Sequence, residues 1–260
     1  MSWPALRITL RLRLPSTLSA AVGLIAVMAA VGALFPSVGH TIGTLKIPRG
    51  VSNLLGGADY GTITGWFRGE IASVYGPLVI GGLAIAGAAA TTAGEEEDRI
   101  LALTLAYPVR RGRLIASRAA AVAGVVVVIA AATWVGMIVG VALGGGGITL
   151  VHITAFALQL ALFGLATGGL GVALGAGTGR RALAAGVAAG VAIGGWLIYG
   201  FAPLVAGLHW LKYASFFYYY AGHDPLTRGV DVGGALVLAA SAAVLTALGM
   251  FAIGRRDLRG

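Results

Sequence analysis

Apolar residues run through this chain in six long stretches, separated by short polar or basic ones. They cover roughly Leu18–Phe35, Ile71–Ala93, Ala119–Leu143, Leu150–Ala176, Ala182–Val205 and Val232–Ile253. Each approaches the twenty or so residues a helix needs to cross a hydrocarbon core about 30 Å thick. Lipid offers backbone groups no water, so a stretch of this kind satisfies itself as a helix. The pattern predicts an all-α polytopic membrane protein with six transmembrane helices, forming one membrane domain over residues 1–260. The gaps at Gly144–Gly147 and Gly177–Arg181 are too short for anything but turns.

Lys and Arg placement orients the bundle. With the amino terminus inside, the inner segments carry Arg7, Arg11, Arg13, Arg99, Arg110, Arg111, Arg113, Arg118, Arg180, Arg181, Arg255, Arg256 and Arg259. The outer segments carry only Lys46, Arg49, Arg68, Lys212 and Arg228. That bias predicts a multi-pass protein of the cell membrane with both termini cytoplasmic. Upstream of the first stretch, Trp3, Leu6, Leu10 and Leu14 recur at helical spacing among arginines. An N-terminal interfacial helix is expected there, with Pro15 turning the chain into the bilayer. The first stretch also has features of a cleaved leader. Removing it would put the remaining basic ends on opposite sides, so it is read as retained.

Composition agrees with lipid. Hydrophobic residues make up 58% of the chain and charged ones 10%, against about 25% in soluble domains. The net charge of +9 sits between the apolar stretches, as orientation signal and headgroup contact rather than a nucleic-acid surface. The 43 glycines suit closely packed membrane helices. Gly164/Gly168, Gly171/Gly175 and Gly186/Gly190/Gly194 repeat at four-residue spacing, suited to contacts within the subunit or across a dimer, internal packing being the commoner outcome. The outer segment Ala206–Asp231 holds Phe216-Phe217-Tyr218-Tyr219-Tyr220, aromatics that favour a membrane boundary, and reads as a short helix pair.

Several chemistries are excluded or unsupported. Cysteine is absent, so disulfides and thiolate sites cannot form. Neither lysine follows a glycine, so no P-loop is present and ATP is not handled by that motif here. The four histidines have no metal-ligand spacing, although His209, His223 and Asp224 share one loop. No catalytic cluster is visible. Within the six stretches the only formal charge is Arg118, at a boundary, so the energy for any transport is expected from elsewhere.

The segment between the second and third stretches is the informative one. Glu95-Glu96-Glu97-Asp98 precede Ile100, Leu101, Leu103, Leu105 and Tyr107 at roughly helical spacing, and Pro108 ends the run before Arg110, Arg111 and Arg113. Carboxylates at the start suit the positive end of a helix. The spacing predicts a cytoplasmic helix over about residues 95–107. A docking knob and a merely solvated loop are equally compatible with it.

From Glu95 to Arg118 the chain resembles the membrane subunits of ABC transporters of the ABC-2 class, with Leu101, Leu103, Leu105, Pro108, Val109 and Arg111 on the family pattern. The six-span layout, the basic amphipathic start, the aromatic loop and the Arg-Arg-Asp-Leu ending are similar too. The chain departs from the pattern at Arg99-Ile100 and at Arg110. The resemblance implies a coupling helix in which Glu96, Glu97, Asp98, Leu103, Tyr107, Pro108 and Arg111 contact a separate ATP-binding cassette subunit. It implies no cofactor in this chain, ATP and magnesium in that partner, and a second permease copy as homo- or heterodimer. The implied task is export of a hydrophobic or amphiphilic drug, antibiotic or lipid. A non-transporting scaffold and an ion-coupled secondary carrier are the rival classes.

Overall fold

The computed structural model describes residues 3–43, 48–98 and 111–255. They are helical apart from short turns, with no strand among them, and six helices are long and apolar enough to cross a membrane. In chain order the elements are α1 (Trp3–Gly43), α2 (Arg49–Leu54), α3 (Ile63–Glu97), α4 (Arg111–Leu143), α5 (Leu150–Thr178), α6 (Arg181–Phe201), α7 (Phe216–Ala221), α8 (Pro225–Arg228) and α9 (Val232–Arg255). The two short ones, α7 and α8, form the pair expected in the aromatic segment.

Helix α1 stays helical across both Pro15 and Pro36 and runs on to Gly43, past the end of the first apolar stretch at Phe35. At 1.5 Å per residue it is about 60 Å long, roughly twice a hydrocarbon core. Its candidate span, Leu14–Gly39, leaves the basic segment beyond it. Proline is tolerated in such helices where packing and hydroxyl groups satisfy the backbone locally. The carbonyl deprived of its N–H donor by Pro36 is that of Gly32, four residues back; the Ser37 hydroxyl adds a bond half a turn on, to the Leu34 carbonyl at 2.9 Å.

α3, α4 and α5 form the centre, while α1, α6 and α9 are largely exposed. Two sets of glycines set the spacing. On α4, Gly136 and Gly140 receive Met28 of α1, and a Cβ on Gly32 would lie 1.9 Å from the Gly140 carbonyl oxygen. On α5, Gly164, Gly168, Gly171 and Gly175 face Ile80, Ala84, Ala88 and Thr92 of α3, residues themselves four apart. The α5 glycines are thus internal packing. The third set behaves differently: a Cβ on Gly186, Gly190 or Gly194 of α6 would meet nothing within 4 Å.

Helix α3 starts earlier than its apolar run, at Ile63, and contains two wider π segments, Arg68–Tyr75 and Ala90–Gly94. Such segments commonly mark functional positions. The first has a specific consequence. Gly76 N–H is taken by the Ile71 carbonyl five residues back, so the next donor along, for Ala72, would be Pro77, which has none. The hydroxyl of Tyr220, on α7, fills that vacancy at 2.9 Å from the Ala72 oxygen.

Candidate functional site

At the aromatic end of the bundle, the loop between α6 and α9 plugs into the helices instead of lying only at their boundary. Phe217 and Tyr220 are buried and stack around Phe163 of α5, with ring centroids 5.6 and 5.3 Å from it. Ser215 accepts from Phe217 N–H at 3.0 Å and donates to the Gly195 carbonyl at 2.8 Å, tying α7 to α6. Asp224, held in a left-handed conformation at φ 57°, forms an ion pair with Arg68 of the first π segment and accepts from Thr227. Asp224 is therefore a clamp on α3. No cluster of three or more metal-ligating side chains occurs among the described residues.

Beneath the plug lies an apolar cavity of about 320 Å³ between α3, α5, α6 and Phe217. Pro77, Gly82, Phe163, Trp196 and Phe217 line it. Leu78 and Ile193, which also line it, are 64% and 55% exposed, so the cavity opens sideways between α3 and α6 toward the surface that faces lipid. Its volume is at the lower end of ligand pockets, and its walls offer almost nothing polar.

The acidic run lies at the opposite end, and its placement differs from expectation. Glu95–Glu97 form the last turn of α3, and Asp98 closes that helix with φ −79° and ψ 4°. They end one helix where they were expected to start another. Carboxylates at a helix C-terminus oppose its macrodipole, so they need partners. Glu95 Oε2 meets Arg118 Nη2 of α4 at 2.7 Å, with the two side chains only 15% and 8% exposed. Glu97 Oε1 accepts the Arg181 backbone N–H at 2.9 Å and so caps the first turn of α6. The dipole argument made for a new helix thus holds for α6. Glu96 is buried, whereas Asp98 and Arg111, the first residue of α4, are exposed. Leu103, Tyr107 and Pro108, with the remainder of the expected coupling helix, lie outside the described residues.

Three helices that are distant in sequence therefore converge on one acidic turn: α3 supplies the carboxylates, α4 the guanidinium and α6 its N-terminus. Sequence reasoning missed both partners. Arg118 was legible only as a boundary charge, and a capping contact made by a backbone N–H leaves no side-chain signature. The charges near the start of α3 were also missed as span residues. Arg68 is neutralised by Asp224, and Glu70 hydrogen-bonds Tyr60. The Tyr60 hydroxyl, just before the span, is pushed up to about 12 by burial and then by the Glu70 carboxylate.

No curated protein matches the chain. Six apolar helices make this a multi-pass membrane protein, and its residues 5–253 match one family throughout. The chain belongs to the family described as multidrug efflux system permease Rv1217c, C-terminal domain.

Proposed function

We propose that the chain is the membrane-spanning permease of an ABC-2-type efflux transporter, driven by ATP hydrolysed in a separate subunit. The observation that carries this reading is the acidic turn at the end of α3. It ties α3, α4 and α6 together where the chain enters residues 99–110, the segment that resembles a coupling helix. A push on that segment would be felt directly by three spans, one of which walls the apolar cavity with α3. A ligand-driven switch needs such a lever with different contacts in two states.

In this reading the basic, terminus-bearing end is cytoplasmic, following the Arg bias. Asp98 and Arg111, with Leu103, Tyr107 and Pro108, meet the ATPase, while Glu96 and Glu97 hold the turn in place. The cargo is hydrophobic or amphiphilic and enters the cavity from lipid between Leu78 and Ile193. In the namesake the matching region is a C-terminal domain, so more of that permease lies outside it. This fits a unit that works beside a second permease half, and the open glycine face of α6 is the surface we assign to that contact.

One observation favours an ion-coupled carrier instead: Glu70 is a protonatable group within α3, close to the cavity-lining residues Ser73 and Pro77. Proteoliposomes separate the readings. Vesicles holding permease and ATPase should expel a fluorescent apolar dye only with magnesium and ATP. Expulsion driven by a proton gradient alone, and lost in Glu70→Gln, would establish the carrier. No movement under either condition would leave the scaffold.

A further inference from the structure

Helix α6 fixes the level at which the next segment lies. Its 21 residues rise about 31 Å, one hydrocarbon thickness, from the exposed Arg180 and Arg181 at the acidic end. Phe201 therefore reaches the opposite boundary, and the chain does not turn back into the bundle until Ser215 caps α7. In between, residues 202–214 form two short 3-10 turns, Ala202–Leu204 and His209–Ala214, joined through Gly207 at φ 85°.

This stretch is under two opposed demands. Phe201, Leu204, Val205, Leu208, Trp210 and Tyr213 are all exposed, Trp210 by 58%, and no residue of His209–Ala214 is buried. So dense a run of bare apolar side chains is unfavourable in water. The backbone sets the opposite limit. It is held by i→i+3 bonds, such as Leu208 N–H to the Val205 carbonyl at 3.1 Å. Among the described residues, the N–H groups of Ala206 and Gly207 meet no backbone carbonyl. Groups of this kind need water and cannot sink into hydrocarbon. The lipid–water boundary meets both conditions.

Side-chain chemistry points the same way. The Lys212 ammonium stands 5.1 and 5.5 Å from the ring centroids of Tyr213 and Tyr218. An indole, phenols and an ammonium at one level are the groups that anchor a chain at a membrane surface. The core of a contact between subunits is instead depleted in lysine. The Tyr219 hydroxyl donates to the Tyr213 carbonyl at 2.9 Å, bolting the stretch to α7.

We propose that residues 202–214 are a membrane-surface element that lies along the lipid–water boundary and carries the aromatic plug. Its apolar side chains enter the outermost acyl region while its backbone stays at headgroup level. The assignment depends neither on the cargo nor on the source of energy.

Because the chain has no cysteine, one introduced residue can be labelled alone. Leu204→Cys and Leu208→Cys, each carrying an NBD fluorophore, should be reconstituted in phosphatidylcholine vesicles. Quenching is then compared among lipids with a nitroxide on the headgroup or deep in the acyl chain, and a water-soluble quencher. Both labels should be quenched several-fold more by the shallow nitroxide than by the deep one or from water. A label at Val244, exposed near the middle of α9, should show the reverse order of the two lipids. Free quenching from water without lipid quenching, at either position, would make the stretch a solvated loop. Protection from every quencher would give it to a second copy of the chain, and strongest quenching by the deep nitroxide would bury it in the span. Each of these results overturns the proposal.

Discussion

Removing the carboxylate from Glu95 should be among the most damaging single changes to the bundle. The pair with Arg118 is short and both side chains are mostly buried, so solvent screens it little. Glu95→Ala takes this carboxylate away from a guanidinium that is itself mostly buried. Breaking a buried pair from one side costs about 3–5 kcal/mol. Arg118 lies only two turns from the start of α4, where a long side chain can shift its head toward water, so the lower figure, about 3 kcal/mol, is expected. That is roughly a hundredfold in the folding equilibrium. By the scaling of soluble domains of this size, it lowers Tm by about 6–12 °C. Thermal unfolding in detergent, followed by tryptophan emission, measures it. Glu95→Arg/Arg118→Glu should recover most of the loss, and Glu95→Leu/Arg118→Met should do at least as well, since a packed apolar pair avoids desolvating either charge. A Glu95→Ala protein within about 1 °C of wild type would refute the reasoning and make the pair a solvated surface contact worth little.

Other expectations follow from the same geometry. Tyr220→Phe should cost about 1–3 kcal/mol by leaving the Ala72 carbonyl unsatisfied, and Pro77→Ala in that background should return part of it by restoring a backbone N–H, both read from Tm. Gly32→Ala should abolish the close approach of α1 to α4 and sharply reduce the yield of folded protein. Gly190→Ala, on the open face of α6, should be neutral or stabilise by up to about 1 kcal/mol when measured on the isolated chain. Spectrophotometric titration should show one phenol, absent in Tyr60→Phe, that ionises near pH 12. Because its folded pKa lies above its unfolded one, folding stability from this group is intact below about pH 10 and falls as pH rises toward 12.

The number of spans and their approximate positions were legible in the sequence because lipid demands long apolar helices and the chain has little else. Their ends were not. Hydropathy stops α3 at Ile71, whereas Arg68 and Glu70 continue it because Asp224 and Tyr60 neutralise them across long sequence separations. Likewise the first apolar stretch ends at Phe35, though α1 carries Pro36 inside a helix and continues to Gly43. Glycine spacing marked three faces but not their partners. Which face is internal depends on side chains such as Ile80 and Thr92 on another helix. The Gly136/Gly140 contact with Met28 was present in the sequence at the same spacing and passed unremarked. The acidic run was visible as the informative place, yet its role at the end of α3 depends on Arg118 and the Arg181 N–H, which no local pattern joins to it.

ATP turnover by the partner subunit is the most direct test of the coupling proposed here. Asp98→Arg and Pro108→Ala are the variants to use, since Asp98 is exposed and neither residue belongs to the Glu95–Arg118 or Glu97–Arg181 contacts. In vesicles containing permease and ATPase, each should leave the permease folded and lower permease-stimulated ATP hydrolysis at least tenfold. Full stimulation by both variants would show that energy does not enter through this end of the chain.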